Sequence, residues 1–204
     1  MILASQSKAL ELTPFRYGLI AGCIEQSLAS AMLEWLEESA PWKLRVAEFY
    51  VQHEFSFDDV TLPNALADAF SPSALHELRR HMEDRFGVEL STRIDITAHR
   101  LTHGQHIKIH NDFIPGEESH RLLIQLNRGW EDENGGLLVF FNSNDPADVH
   151  RVLRPLHNTG VVFEISESSL HAVTPIQTGD RYTLVLSFFP RAKCSQPENI
   201  SSSV

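Results

Sequence analysis

The sequence predicts a mainly β fold, either an all-β barrel or a double-sheet jelly roll, with helices from the N-terminal half covering one face. Two observations support this prediction. After about Glu89, short alternating or apolar runs follow one another, separated by turn sequences rich in glycine, proline and asparagine, which is typical of many short strands. Before that point, two stretches carry apolar residues at helical spacing with a polar opposite face.

The N-terminal elements are predicted from this spacing and from their end signals. Residues 24–38 form an amphipathic helix that Pro41 ends. Aromatic and β-branched residues between 44 and 57 favour one or two strands. A further helix is predicted over residues 71–86, because a serine can cap its start and Gly87 can close its end.

The second half of the chain contains six predicted strands. They are residues 92–101, 106–111, 121–126, 136–141, 160–165 and 181–189. No linker or internal repeat divides the sequence, and we therefore predict one domain over residues 1–204. Its parts are a helical and strand support (1–90), a jelly-roll core (91–190) and a flexible tail (191–204).

Composition excludes several classes of function. The 204 residues contain 17 Lys+Arg and 27 Asp+Glu, a formal net charge of −10, and no basic face suited to nucleic acid is visible. No apolar run is long enough to span a bilayer, and the start of the chain lacks the pattern of a signal peptide. Cys23 and Cys194 lie near opposite ends and form no disulfide framework, which predicts a reducing, cytoplasmic compartment.

Three residues have the chemistry of a metal site. His110 and Asp112 lie two positions apart in a predicted strand, so both side chains are expected on one face. His171 follows the strand predicted over residues 160–165. Two histidines and one carboxylate on one side of a metal leave positions open, as in the facial triad of non-haem Fe(II) oxygenases. His106 lies on the same predicted face. It is a candidate rival or auxiliary ligand, but the sequence favours a residue that lines the mouth of the pocket or packs against its neighbours.

An arginine adds specificity to this site. Arg181 opens the last long strand and shares a face with Thr183. A guanidinium and a hydroxyl together suit a carboxylate, and an arginine inside a small barrel is costly without an anionic partner. These two residues are therefore candidates for binding a carboxylate co-substrate.

Residues 94–190 carry a series of motifs in a defined order. They are His110-x-Asp112, Arg121 ahead of Leu126-Asn127, Asn134-Gly135-Gly136-Leu137, Asn158-Thr159-Gly160-Val161-Val162-Phe163, His171-Ala172-Val173-x-Pro175 and Gly179-x-Arg181-Tyr182. In this order and spacing they resemble the Fe(II)- and 2-oxoglutarate-dependent dioxygenases, and among these the prolyl-4-hydroxylase-like branch.

The resemblance implies a double-stranded β-helix, a cupin-like relative of the jelly roll. It implies that His110, Asp112 and His171 bind iron and that Arg181 pairs with the far carboxylate of 2-oxoglutarate. The implied cofactors are Fe(II), 2-oxoglutarate and O2, with ascorbate as a candidate reductant. Relatives often carry a tyrosine where this chain has Gln125; we predict that Gln125 or Thr183 replaces it at the co-substrate.

The predicted activity is hydroxylation of an unactivated C–H bond of an amino-acid side chain, releasing succinate and CO2. The expected substrate is a peptide or protein, or an amino-acid-derived metabolite. Arg121 and Arg100 are candidate substrate contacts, with a structural ion pair as the alternative for Arg121. Two loops, residues 113–120 and 142–156, are candidates for a lid.

Two other functions stay open from the sequence. One is a non-catalytic sensor module that binds the metal and 2-oxoglutarate. The other is a cupin-type metal enzyme that does not use 2-oxoglutarate.

Overall fold

A computed structural model describes residues 9–191 of the chain. Eleven strands and three α-helices follow one another along this part of the sequence. They are β1 (Tyr17–Ala21), α1 (Gln26–Glu38), β2 (Lys43–Val46), β3 (Val51–Ser56), α2 (Asn64–Ala67), α3 (Pro72–Phe86), β4 (Leu90–Leu101), β5 (Ile107–His110), β6 (His120–Gln125), β7 (Leu138–Phe141), β8 (Val149–Leu153), β9 (Thr159–Glu164), β10 (His171–Val173) and β11 (Arg181–Pro190).

The strands form two antiparallel sheets. The larger has the order β1-β9-β6-β11-β4-β3-β2, and the smaller has the order β5-β10-β7-β8. Neighbours in the sheets are rarely neighbours in sequence, which is typical of a double-sheet jelly roll. The predicted fold class is therefore confirmed.

The helices cover the outer face of the larger sheet. Met32 and Leu33 of α1 and Leu78 and Met82 of α3 are buried in one apolar cluster with sheet residues such as Leu184. A second cluster fills the space between the two sheets. The central strands of the larger sheet, such as β6 and β11, are thus buried on both faces, which fixes the strands that carry the site.

Helix ends agree with the sequence signals. Ser71 Oγ accepts a hydrogen bond from the backbone N–H of Ala74, and Pro72 occupies the first turn of α3. Gly87 ends this helix at φ 68°, in the left-handed region that glycine adopts without strain. In α1 the cap is Glu25, whose carboxylate accepts from Ser27 and Leu28.

Three strands were not predicted. β1 lies at an edge of the larger sheet, β10 is a short strand in the smaller sheet, and β8 lies within residues 142–156, which were expected to form a loop. Because β8 pairs with β7, only part of that segment is free to act as a lid. The predicted tail lies almost wholly outside the described residues. No helix among residues 9–191 is long and apolar enough to cross a membrane.

A buried histidine is expected to make stability depend on pH. His120 is 4% exposed and packs on the Phe86 ring at 4.6 Å. Burial, and then the charge of Arg16, lowers the pKa of His120 to about 4. Its imidazole stays neutral in the folded protein, while the unfolded chain takes up a proton below about pH 6.5. Stability should therefore fall as the pH drops from 6.5 towards 4.

Chemical unfolding of wild type and His120→Gln across pH 4.5–7.5 tests this expectation. Below pH 6.5, the free energy of unfolding of wild type should fall more steeply than that of His120→Gln. The difference between the two slopes should be up to about 1.4 kcal/mol per pH unit. Parallel profiles for the two proteins would contradict it.

Candidate metal centre and active site

A cavity of about 310 Å³ lies between the two sheets. Its smaller-sheet side carries His110 and His171, and its larger-sheet side carries Arg181 and Thr183. Asp112 lies beside the two histidines. The structure thus brings together the residues that the sequence singled out for the metal and for the co-substrate.

The three candidate metal ligands face one another. His110 Nε2 lies 3.3 Å from Asp112 Oδ1, and His171 Nε2 lies 3.1 Å from Asp112 Oδ2. All three offer a ligand atom within 4.8 Å of the others. The rings of His110 and His171 have their centroids 4.2 Å apart.

The local backbone explains how the three meet. His110 and His171 are directly opposite each other in the register of β5 and β10. β5 ends at His110, however, and Asp112 lies beyond it with φ 59°. The left-handed backbone at Asp112 directs its carboxylate towards the two histidines. The sequence analysis expected Asp112 and His110 side by side because it placed both in one strand, and this reason is wrong. Aspartate is among the non-glycine residues that tolerate this conformation best.

Backbone carbonyls fix the tautomers of both histidines. His110 Nδ1 lies 2.9 Å from the carbonyl oxygen of Lys108, and His171 Nδ1 lies 2.7 Å from that of Ser169. A carbonyl only accepts, so each Nδ1 carries the proton and donates it. Each Nε2 therefore presents a lone pair to the cavity, as metal-binding histidines do.

The protonation states also suit a metal. Burial lowers the pKa of His171 and so favours the neutral ring. Burial alone would raise the pKa of Asp112, but the charge of the Arg121 guanidinium, with the two histidine rings beside the carboxylate, outweighs burial and holds that pKa well below the usual range. A neutral imidazole at His171 and an ionised carboxylate at Asp112 are forms that bind a divalent cation.

Arg181 is buried without a carboxylate partner among residues 9–191. It is 2% exposed, its Nη1 donates to Thr183 Oγ1 at 2.8 Å, and its Nε has no hydrogen-bond partner. Burial lowers its pKa to about 10. Because a buried cation without a counter-charge is costly, this environment suits a bound anion such as the far carboxylate of 2-oxoglutarate.

Gln125 continues the hydrogen bonds that run from Arg181 to Thr183, but it lines a different cavity. Its Oε1 accepts from Thr183 Oγ1 at 2.8 Å, while its side chain lines a cavity between β8, β9 and β1. It therefore supports Thr183 rather than facing the metal. His106 is exposed and its Nδ1 lies 3.4 Å from the Gly104 carbonyl, outside the group of candidate ligands.

The two arginines proposed as substrate contacts have different environments. Arg121 lines the cavity, but it pairs with Asp112 and Glu118. Arg100 pairs with Asp180 and is absent from the cavity wall. Side chains alternate along β4, and the neighbouring His99 takes the inward position instead. The substrate role predicted for Arg100 is corrected for this reason.

His99 is a cavity residue that the sequence analysis missed. Burial, and then the charges of Arg121 and Arg181, lowers its pKa to about 3. It therefore offers a neutral ring to whatever occupies the cavity. Strand alternation contained the signal, but it does not reveal which of the two faces points inwards.

A glycine next to Arg181 gives a further prediction. A Cβ at Gly136 would lie 2.5 Å from Ile176 Cδ1 and 3.0 Å from Arg181 Cδ, at φ 62°. Gly136→Ala should lower stability by about 2–4 kcal/mol, from left-handed strain and overpacking, and should weaken 2-oxoglutarate binding. Gly104→Ala is the matched control, because φ is 77° and no atom lies within 4 Å. Equal losses of stability and affinity in both variants would contradict the prediction.

A jelly roll that joins a two-histidine, one-carboxylate site to a buried arginine defines the class of non-haem Fe(II) oxygenases with an oxo-acid co-substrate. Residues 96–189 match the family model described as 2OG-Fe(II) oxygenase superfamily. This part of the chain therefore resembles a 2OG-Fe(II) oxygenase domain, and the proteins similar to it include prolyl hydroxylases. The family implies Fe(II), 2-oxoglutarate and O2 as cofactors.

Solved structures share the fold. A prolyl-4-hydroxylase from Pseudomonas putida aligns with a TM-score of 0.71 at 20% identity, covering 86% of this chain and 92% of the other. A prolyl hydroxylase from Trichoplax adhaerens, solved with a hypoxia-inducible factor peptide fragment, aligns with a TM-score of 0.69 at 16% identity, covering 85% and 83%.

The curated relatives are longer proteins. Prolyl 3-hydroxylase sudestada1 of Drosophila melanogaster is 23% identical over 85% of this chain and 34% of its own length. Prolyl 3-hydroxylase OGFOD1 of Xenopus laevis is 25% identical over 89% of this chain and 36% of its own length. The chain thus spans about a third of the curated relatives that it matches.

Proposed function

We propose that this protein is an Fe(II)- and 2-oxoglutarate-dependent hydroxylase acting on an amino-acid side chain in a peptide-like substrate. The overall reaction converts R–H, O2 and 2-oxoglutarate into R–OH, succinate and CO2. One oxygen atom enters the product and the other enters succinate, so atoms and electrons balance.

The observation that carries this proposal is the isolated buried Arg181 in the cavity that also holds the candidate metal ligands. A metal enzyme without an anionic co-substrate has no use for this cation, whose burial is costly. The guanidinium matches a carboxylate, and the Thr183 hydroxyl, which accepts from Arg181 and donates to Gln125, holds the guanidinium in place.

The chain's own residues have separable tasks. His110, Asp112 and His171 would hold Fe(II), which with 2-oxoglutarate supplies the oxidising chemistry when bound. Arg181 would orient the co-substrate through its far carboxylate, and Thr183 fixes the guanidinium. Apolar side chains exclude water from the space between these two ends; they are Ile107, Leu123, Leu138, Val173 and Val185.

A peptide substrate is supported by the relatives. The matched curated proteins are named prolyl 3-hydroxylases, and one structural relative is solved with a peptide fragment. Phe49 and Tyr50 line part of the cavity, and Phe49 is 37% exposed. These rings offer an apolar rim for a ring such as that of proline.

Anaerobic addition of Fe(II) and 2-oxoglutarate to the apo protein tests the site directly. A weak visible charge-transfer band is expected from the chelated keto acid. Succinate release with prolyl peptides, compared with the same peptides carrying alanine for proline, then tests the substrate class.

The outcomes separate the alternatives. A band followed by prolyl-dependent succinate formation supports the proposal. A band without turnover for any peptide or amino acid favours the sensor module. Iron binding without a band, whatever the 2-oxoglutarate concentration, favours a cupin-type enzyme that does not use this co-substrate.

A further inference from the structure

We infer that Arg121 is a positioning residue for the candidate metal ligand Asp112, anchored in turn by Glu118. The three side chains form one ion-pair chain at the edge of the cavity. This inference rests on the metal site of the proposed function and extends it to residues that do not bind the metal themselves.

The contacts define a clamp. Arg121 lies in β6, and its Nη1 donates to Asp112 Oδ2 while its Nη2 donates to Glu118 Oε2 at 2.7 Å. Asp112 and Glu118 flank residues 113–117, which link β5 to β6. One guanidinium therefore ties both ends of this loop together directly beside the metal site.

Asp112 depends on such a partner more than the two histidines do. Both histidines begin or end a hydrogen-bonded strand and have an Nδ1 fixed by a carbonyl. Asp112 follows the end of β5 with a left-handed backbone, so no strand ladder fixes it. A planar guanidinium holds one carboxylate oxygen in a defined direction, which leaves the other oxygen, facing His110, oriented for a metal.

Charge leads to the same assignment. Arg121 carries one positive charge between two carboxylates, so the clamp has a net charge of −1 that a divalent cation would offset. The Arg121 side chain is 13% exposed, and both of its terminal nitrogens are engaged. An anionic substrate group would meet a clamp that already carries a net negative charge, which favours positioning as the role of Arg121.

Titration of the apo protein with Mn(II), followed by the electron paramagnetic resonance signal of free Mn(II), tests this role without 2-oxoglutarate or turnover. Arg121→Met should weaken Mn(II) binding by about ten- to a hundred-fold, the usual effect of removing a residue that orients a metal ligand. Arg121→Lys should have an intermediate effect, because lysine keeps the charge but loses the fork.

Glu118→Gln tests the anchor, and its loss of affinity should be smaller and in the same direction. It also keeps the test valid if Arg121→Met does not fold. Arg79→Met is the matched control: Arg79 is likewise mostly buried, with Nη1 2.6 Å from Glu83 Oε1, but that pair lies on α3. Arg79→Met should lower stability and leave Mn(II) affinity unchanged.

Two outcomes would overturn the inference. One is Mn(II) affinity within two-fold of wild type in the folded Arg121 and Glu118 variants. The other is an equal loss in Arg79→Met, which would indicate a general effect of lower stability. If wild type itself bound no Mn(II), the proposed function would fail first, so the two failures are distinguishable.

Discussion

His171→Ala is expected to abolish stoichiometric binding of Fe(II), and with it all 2-oxoglutarate turnover. His171 is buried, and its Nε2 is aimed at the Asp112 carboxylate from β10. Removing it leaves two protein ligands and an empty space where the third was. Because metal affinity depends on three preorganised ligands, we expect a loss well beyond the ten- to a hundred-fold range typical of residues that only orient ligands.

His110→Ala and Asp112→Ala should behave in the same way. The measurement is iron per chain after anaerobic loading and desalting, with turnover measured on the same samples. His150→Ala is the control, because His150 is exposed and contacts Asn142 away from the cavity. One iron per chain retained in all three site variants would refute the ligand assignment.

Much of the fold followed from sequence periodicity. The helices α1 and α3 were predicted from apolar spacing and their end signals, and most of the later strands from alternating runs. β8 was missed because it is an edge strand with an exposed, irregular pattern: Val149 and Val152 are 44% and 52% exposed. Burial on one face gives a strand its alternation, and an edge strand with little burial lacks that signal.

Sequence reasoning predicted some parts of the candidate site and missed others. The types and order of His110, Asp112, His171 and Arg181 were enough to place them together, although a left-handed turn brings Asp112 in. The clamp of Arg121 and Glu118 was not predicted in full, because an ion pair between a loop and a strand depends on three-dimensional distance. Sequence spacing alone left Arg121 open between a substrate contact and a structural pair.

A further limit of sequence reasoning is that it does not show which face of a strand points into the cavity. Alternation places His99 and Arg100 on opposite sides of β4, but only the neighbouring strands determine which side is the cavity. Leu101, buried between the sheets, and Arg100, paired with Asp180, settle this in the structure. Sequence reasoning preferred the charged residue and therefore chose the wrong side.

Arg181→Met is expected to remove 2-oxoglutarate binding while sparing the metal. Loss of one partner of a buried charge pair costs about 2–5 kcal/mol, which corresponds to at least about thirty-fold in Kd. Methionine fills a similar volume without a charge. Since Arg181 has no counter-charge among the described residues, the variant should also make the apo protein more stable.

The variant is thus expected to raise the stability of the apo protein and to lower its affinity for 2-oxoglutarate, and thermal unfolding measures both effects. Thermal unfolding should show a higher midpoint for apo Arg181→Met than for apo wild type, and 2-oxoglutarate with Mn(II) should raise the midpoint of wild type only. Arg100→Met is the matched control, because this neighbouring arginine pairs with Asp180 outside the cavity. It should keep the response to 2-oxoglutarate. An undiminished response in Arg181→Met would mean that another group binds the co-substrate carboxylate, because the guanidinium would then contribute no affinity.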